Sequence, residues 1–258
     1  MRNQLTLVAQ YGEKDELFIS RLNKYIDLIK NSGLEEYFSP YKMEQIHGTL
    51  IGLECVNEFE PEINNNIWAQ KGLKIKMDLR PMWNCLDSYF PMNIRVGGYN
   101  EDEVPFLSNN EIPYLRSFFV NLNSGKVVLM GWPMNASNKY CSSLWEFRQE
   151  MERNCNTAHK YQNDNDYYFV LGTIDIKPTT DTAVQYEIQE LILSAEAKLR
   201  KHISKNPIEF RLQEKDISMV RYINENLDPE TSEFIPLINL RADKKNINDI
   251  FQQRRETD

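Results

Sequence analysis

A mixed α/β or α+β domain is the fold class predicted for this chain, on three observations. Runs rich in β-branched and aromatic residues are interleaved with stretches of helical apolar spacing. The run "YYFVLGTIDI" (167–176) is the most strand-like in the chain, and a long helical stripe follows it, made of Val184, Ile188, Leu191, Ile192, Ala195 and Leu199. With 258 residues, 41% of them hydrophobic and 26% charged, the chain is long enough to bury a real core.

Taken in order, "QLTLVAQ" (4–10) reads as a strand, and from Asp15 the residues Leu17, Phe18, Leu22, Tyr25, Ile26 and Ile29, interrupted by Arg21, recur at helical spacing. "SGLEEYFSP" (32–40) is a loop that closes that helix near Gly33, and "QIHGTLIGLE" (45–54) supplies a second strand. The acidic, Asn-rich segment 57–68 reads as a loop or insertion. "KIKMDLRPMWNCLDSYF" (74–90) reads as a helix that Pro81 can interrupt, because proline restricts the residue before it. "MNIRVGGYN" (92–100) suits a strand leaving through a turn, and "RSFFVNLNSGKVVLMGW" (116–132) a hairpin turning at "NSG".

A helix from Ser142 or Ser143 follows, with Leu144, Phe147 and Met151 on one face, and then a polar loop, "NTAHKYQNDND" (156–166). Asp181 is placed to cap the long helix. "IEFRLQ", "ISMVRYINENL" and "EFIPLINL" read as strands, with "DPETS" as a turn. Residues 1–240 are expected to form one domain, and 241–258 a charged surface helix or frayed tail.

Lys and Arg number 30 against 38 Asp and Glu, a net charge of -8, which argues against binding a long nucleic acid but leaves room for a small nucleotide in a local pocket. The N-terminus lacks a signal-peptide pattern and no run is long enough to cross a bilayer, so a soluble, cytoplasmic protein without membrane partners is expected. Cys55, Cys85, Cys141 and Cys155 make no C-x-x-C pair, which supports neither a zinc ribbon nor a dithiol redox motif.

Within "QIHGTLIGLE", His47 and Thr49 stand two residues apart on a strand, so both side chains emerge on the same face. Ring and hydroxyl can then reach one ligand. An isolated H-x-T is a weak signal, since a strand histidine is often only hydrogen-bonded in place.

The features around it add to that signal. "IHGTLIGL", "FPMNIRVGGYN", "RSFFVNLNSGKVVLM", "LWEFRQEMERNC" and "YYFVLGTI" come in an order that resembles the two-histidine (2H) phosphoesterases, which include RNA 2′,5′-ligase-like proteins and cyclic nucleotide phosphodiesterases. The resemblance covers residues 4 to 176 well, and the rest as a last helix and strands. It implies a bilobed α+β fold in which two antiparallel sheets face a central cleft, each contributing one H-x-T. One histidine then acts as general base and the other as general acid, while the threonines hold the phosphate. No metal or other cofactor is implied, because imidazoles titrating near neutrality can carry the proton traffic.

His47 and Thr49 meet the first signature. At the second, the pattern H-x-T-L-G falls on Tyr168, Phe169, Val170, Leu171 and Gly172, so both chemical positions depart from it. Tyrosine has a free pKa of about 10 against about 6.5 for histidine, which makes it a poor base but a possible proton donor. Val170 can do neither. His159, in the polar loop, is the residue that could stand in; His202 lies near the end of the long helix, and Thr157 and Thr173 are the other hydroxyls considered. Arg95 and Arg116 could contact phosphate or simply pair with acids.

The resemblance thus implies a protein acting on a nucleotide or short RNA carrying a 2′,3′-cyclic or 2′,5′-linked phosphate, with impaired or altered catalysis. A non-catalytic nucleotide binder on the same fold and an interaction protein whose cleft is plugged by Tyr168 remain open beside it. No protein partner is named by the residues.

Overall fold

The apolar run of the first strand, β1 (Gln4–Ala9), is buried on both faces, which fits its place inside a sheet rather than at an edge. The computed structural model describes residues 4–57, 59–243 and 246–251. After β1, the Asp15 carboxylate accepts hydrogen bonds from the Leu17 and Phe18 amides and so starts α1 (Glu16–Ile29), whose inward face is Phe18, Leu22, Tyr25, Ile26 and Ile29.

The remaining strands are β2 (Phe38–Pro40), β3 (Gly48–Gly52), β4 (Met92–Val96), β5 (Phe118–Val120), β6 (Lys126–Met134), β7 (Tyr167–Ile174), β8 (Ile208–Leu212), β9 (Ile217–Tyr222) and β10 (Ser232–Pro236). They pair antiparallel in the order β10-β9-β1-β3-β7-β6-β4-β8, with β2 added to β7 and β5 to β6. The halves β10-β9-β1-β3 and β7-β6-β4-β8 meet through the pair Gly48–Phe169. The α+β class and its antiparallel halves are therefore those expected, joined here by hydrogen bonds into one sheet.

Helices cover one side of the sheet over a continuous core: α1, α3 (Met82–Tyr89), α5 (Ser143–Cys155) and α6 (Thr182–Lys205) bury Leu22, Met82, Phe147, Ile192 and Leu199 against strand residues such as Leu7 and Phe169. The side of the sheet away from that core carries two smaller apolar clusters. Val8, Tyr11, Val220, Tyr222 and Leu227 form one on the first half; Tyr99, Val128, Met130 and Trp132 form the other on the second. The cleft runs between them.

Several segments differ from their sequence reading; the expected loop 32–40 ends in β2, paired with β7, and the strand expected over "ISMVRYINENL" ends at Tyr222. Within 57–68, Asn64 accepts from the Ile67 amide and caps α2 (Asn65–Lys71), so the Asn-rich stretch is a helix start. The helix expected over 74–90 begins only at Met82, because Pro81 occupies its N-cap position. The strand expected over "EFIPLINL" ends at Pro236, which lacks an amide hydrogen, and the chain turns into α7 (Leu237–Ala242). Beyond it, Ile247, Ile250 and Phe251 are buried in the main core, so this part of the expected tail packs; residues 244, 245 and 252–258 lie outside the described ones. A short α4 (Pro113–Arg116) precedes β5.

Among the described residues no helix is long and apolar enough to cross a membrane.

Candidate functional site

His47 precedes β3 and Thr49 lies within it, and both are half-buried while Gly48 between them faces the core. Gly48 is required there. A Cβ at that position would lie 2.3 Å from the Tyr167 ring. Because Gly48 pairs with Phe169 in antiparallel sense, Thr49 falls across from Tyr168 and His47 across from Val170. All four line one cleft of about 540 Å³. The two half-sites of the sequence are thus side by side.

The His47 ring is oriented by a 2.6 Å contact between Nδ1 and the Gln45 carbonyl. A carbonyl only accepts, so Nδ1 carries the hydrogen and Nε2 keeps its lone pair. Burial lowers the His47 pKa to about 4, Lys14 and Lys126 push the same way, and the Gln45 carbonyl opposes them. The imidazole is neutral at pH 7 and can accept a proton. The hydroxyls of Thr49 and Tyr168 engage no protein partner among the described residues. Burial pushes Tyr168 up to about 12, so its phenol keeps its proton.

His159 reaches the same cleft from the polar loop. Its Nε2 lies 3.1 Å from Asp164 Oδ2, while its buried Nδ1 has no partner. Burial and the nearby Arg148 guanidinium lower its pKa to about 4, against the pull of Asp164. Burial alone would raise the Asp164 carboxyl, but the His159 hydrogen bond and the Arg148 charge hold it below its ordinary value. The other residues considered are elsewhere. His202 sits on α6, edge-on to Tyr25; the Thr157 hydroxyl donates to the Met151 carbonyl; Arg95 pairs with Glu209. Thr173 does not line the cleft.

Sequence reasoning missed Arg148. It comes from α5, is only 3% exposed, and distributes its donors over β3 and the loop between α5 and β7. Nε donates to the Leu50 carbonyl at 2.9 Å; one terminal nitrogen donates to the Asp164 carbonyl and carboxylate at 2.8 and 3.0 Å; the other donates to the Thr49 and Asp166 carbonyls at 3.0 and 3.2 Å. The available signal was an arginine four residues after Leu144 and three before Met151, on the apolar stripe of a helix.

Arg116 does reach the cleft, where it pairs with Asp166 at 3.0 Å and stands 4.6 Å over the Phe119 ring. Asp166 also accepts from Ser108 Oγ and from Trp132 Nε1 at 2.6 Å. Trp132 is fully buried and does not line the cleft. Two further cations line the cleft: Lys126, 3.9 Å from Glu225, and Lys160, 5.8 Å from the Tyr161 ring centre.

β3 and β7 share one irregularity. Opposite Leu7 and Val8 of β1, β3 presents Ile51 and Thr49, leaving Leu50 unpaired; opposite Val127 and Val128 of β6, β7 presents Gly172 and Val170, leaving Leu171 unpaired. Each strand carries its bulge three residues after the first position of its signature. The extra carbonyls are satisfied from outside those ladders, Leu50 by Arg148 and Leu171 by the Tyr41 amide at 2.9 Å.

Chemically, the cleft offers a neutral imidazole with a free lone pair, two open hydroxyls, and a lining in which Arg116, Lys126, Arg148 and Lys160 stand among Glu54, Asp164, Asp166 and Glu225. No family model and no curated protein sequence matches the chain. Solved structures with a similar chain path include a conserved protein of unknown function from Agrobacterium tumefaciens str. C58, at 13% identity and TM-score 0.42, covering 91% of this chain and 84% of that one. Usb1 of Kluyveromyces marxianus is another, at 10% identity and TM-score 0.42 over 91% and 98%. Its structure with uridine monophosphate gives 10% identity and TM-score 0.44 over 90% and 98%. At this degree of likeness no residue role or reaction is carried over from those proteins to this chain.

Proposed function

We propose that the cleft binds a nucleotide or short RNA at a 2′,3′-cyclic or 2′,5′-linked phosphate and opens that ester slowly, with His47 as the general base. The observation that supports this reading is the side-by-side placement of His47, Thr49 and Tyr168 on one cleft face, with the His47 lone pair free. For a cyclic phosphate, a water oxygen bonds to phosphorus as His47 Nε2 takes its proton. The bond from phosphorus to one ribose oxygen breaks, and the Tyr168 phenol gives that oxygen its proton. Proton exchange with solvent then restores both residues. Thr49, Lys126 and Lys160 hold the phosphate oxygens. His159, tied to Asp164, supports the loop wall and is the alternative proton carrier.

A phenol held at about 12 is a weak acid, so this half-site contributes less than the 10²- to 10⁴-fold typical of one well-matched acid or base. Val170, across from His47, favours a second reading, a nucleotide binder that does not turn its ligand over. The test is turnover of wild type and His47→Ala on 2′,3′-cyclic nucleotides and 2′,5′- and 3′,5′-linked oligonucleotides, followed by mass. Turnover lost in the variant supports the enzyme. Turnover unchanged in the variant removes His47 from the chemistry, and no wild-type turnover with measurable binding selects the second reading.

A further inference from the structure

Side chains on a regular strand alternate, so residues 47, 49, 51 and 53 would share a face. The bulge at Leu50 breaks that parity: Ile51 and Leu53 are fully buried in the core, whereas Gly52 and Glu54 line the same cleft as His47 and Thr49. Glu54 does not extend outward from there. Its carboxylate folds back over Gly52, where a Cβ would lie 2.0 Å from Oε2. Glycine at 52 is what makes room for the acid.

The carboxylate is held in that position. Oε1 accepts from the Tyr222 hydroxyl at 3.0 Å, and Oε2 from Asn66 Nδ2 at 3.4 Å. Asn66 is itself fixed by donating to the Ala158 carbonyl at 2.9 Å. Each oxygen keeps a further lone pair, and no cation lies within ion-pair distance among the described residues. Burial raises the Glu54 pKa, and its own backbone amide, the Tyr222 hydrogen bond and the Lys160 charge work against that rise. A preorganised acceptor thus faces the cleft without the donors that would complete it.

Strand spacing decides what it meets. A proton carrier for the reaction must stand within roughly 2.6–3.2 Å of an oxygen on the phosphate that Thr49 holds. Gly52 is three residues further on, about 10 Å along the strand, so the carboxylate above it is out of reach of that phosphate. It faces the part of the ligand that extends away from the phosphate. In a 2′,3′-cyclic nucleotide O2′ and O3′ are esterified and donate nothing, which leaves the 5′-hydroxyl, a single donor, and the base, the one part that can present two adjacent donors to a carboxylate.

We infer that Glu54 reads the nucleobase and selects one presenting two adjacent N–H donors, which among the four common bases is guanine through N1–H and its exocyclic amine. This rests on the phosphate site proposed above. Adenine and cytosine each place an acceptor beside their amine, and uracil flanks its single N–H with two carbonyls; a carboxylate matches the guanine edge with two parallel hydrogen bonds.

The test is calorimetric binding of the four nucleoside 3′-monophosphates and turnover of the four 2′,3′-cyclic nucleotides, by wild type, Glu54→Gln and His47→Ala. Wild type is expected to prefer guanine by roughly tenfold or more, the scale of one bidentate contact. Glu54→Gln, with an unchanged thermal midpoint, loses that preference while its binding of the uracil nucleotide moves less than threefold. His47→Ala loses turnover and keeps the base ranking. Binding without a guanine preference, or a ranking unchanged in Glu54→Gln, overturns the role of Glu54 and leaves the phosphate site standing; no binding of any nucleotide by wild type overturns both.

Discussion

The two signature strands have the same scaffold and different chemistry. β3 and β7 lie antiparallel, each turns two alternate side chains into the cleft, and each is bulged at the leucine three residues after the first of them. On β3 those side chains are an oriented imidazole and a free hydroxyl; on β7 they are a phenol and an isopropyl group. Even their core-facing residues are complementary, Gly48 against Phe169, with Tyr167 filling the volume that a side chain at 48 would need. The backbone geometry that aims a residue into the cleft is thus separable from what the residue does there, and Tyr168 and Val170 remain aimed.

Arg148→Met tests whether the halves depend on one support. It removes the cation paired with the Asp164 carboxylate and the donor of several buried carbonyls, and breaking a buried charge pair costs about 3–5 kcal/mol, read as a fall in urea midpoint. The next effect separates the halves by role: His47→Ala lowers turnover by about 10²- to 10⁴-fold, whereas Tyr168→Phe lowers it by roughly tenfold, both measured on a cyclic nucleotide. Making the halves alike, with Tyr168→His and Val170→Thr together, raises turnover over wild type.

The smallest effects come from pH. The His47 pKa of about 4 keeps turnover flat from pH 7 to roughly 5, and turnover falls as pH drops through about 4. His47 and His159 both bind protons more weakly folded than unfolded. The unfolded chain therefore gains protons first as pH falls below about 6.5, and folded stability declines from there towards 4. Urea midpoints at pH 7 and 5 check the sign, and His159→Gln flattens the slope.

Why the positions of both half-sites were legible while Glu54 and Arg148 were not follows from range. His47 and Thr49 need only strand periodicity and lie within five residues of each other. Glu54 stands at the wrong parity for the cleft, and the bulge that corrects it is set by pairing with β1, more than forty residues away. Arg148 reads as an interruption of a helical stripe until the strands it bonds are in place. Asn64 illustrates the local version of the problem: Asn-rich sequence suits a loop, and the same residue type is also what starts a helix. Most strands and the long helix were visible because burial is periodic along them, while the change of direction at Pro236 depends on how one residue ends a ladder.

The Arg148 guanidinium, described above as a set of hydrogen bonds, has a consequence in time. It joins β3 to the loop that carries His159 and ends at Asp166, the residue before β7, so neither can open alone without stranding a buried cation. Amide hydrogens of β3 and β7 should then exchange with solvent together, at the rate of global unfolding, and the cleft floor should be equally protected with and without ligand. Ligand entry is left to the surrounding walls, such as the 97–112 loop and the 223–231 turn, where amide exchange should be faster and should slow on binding.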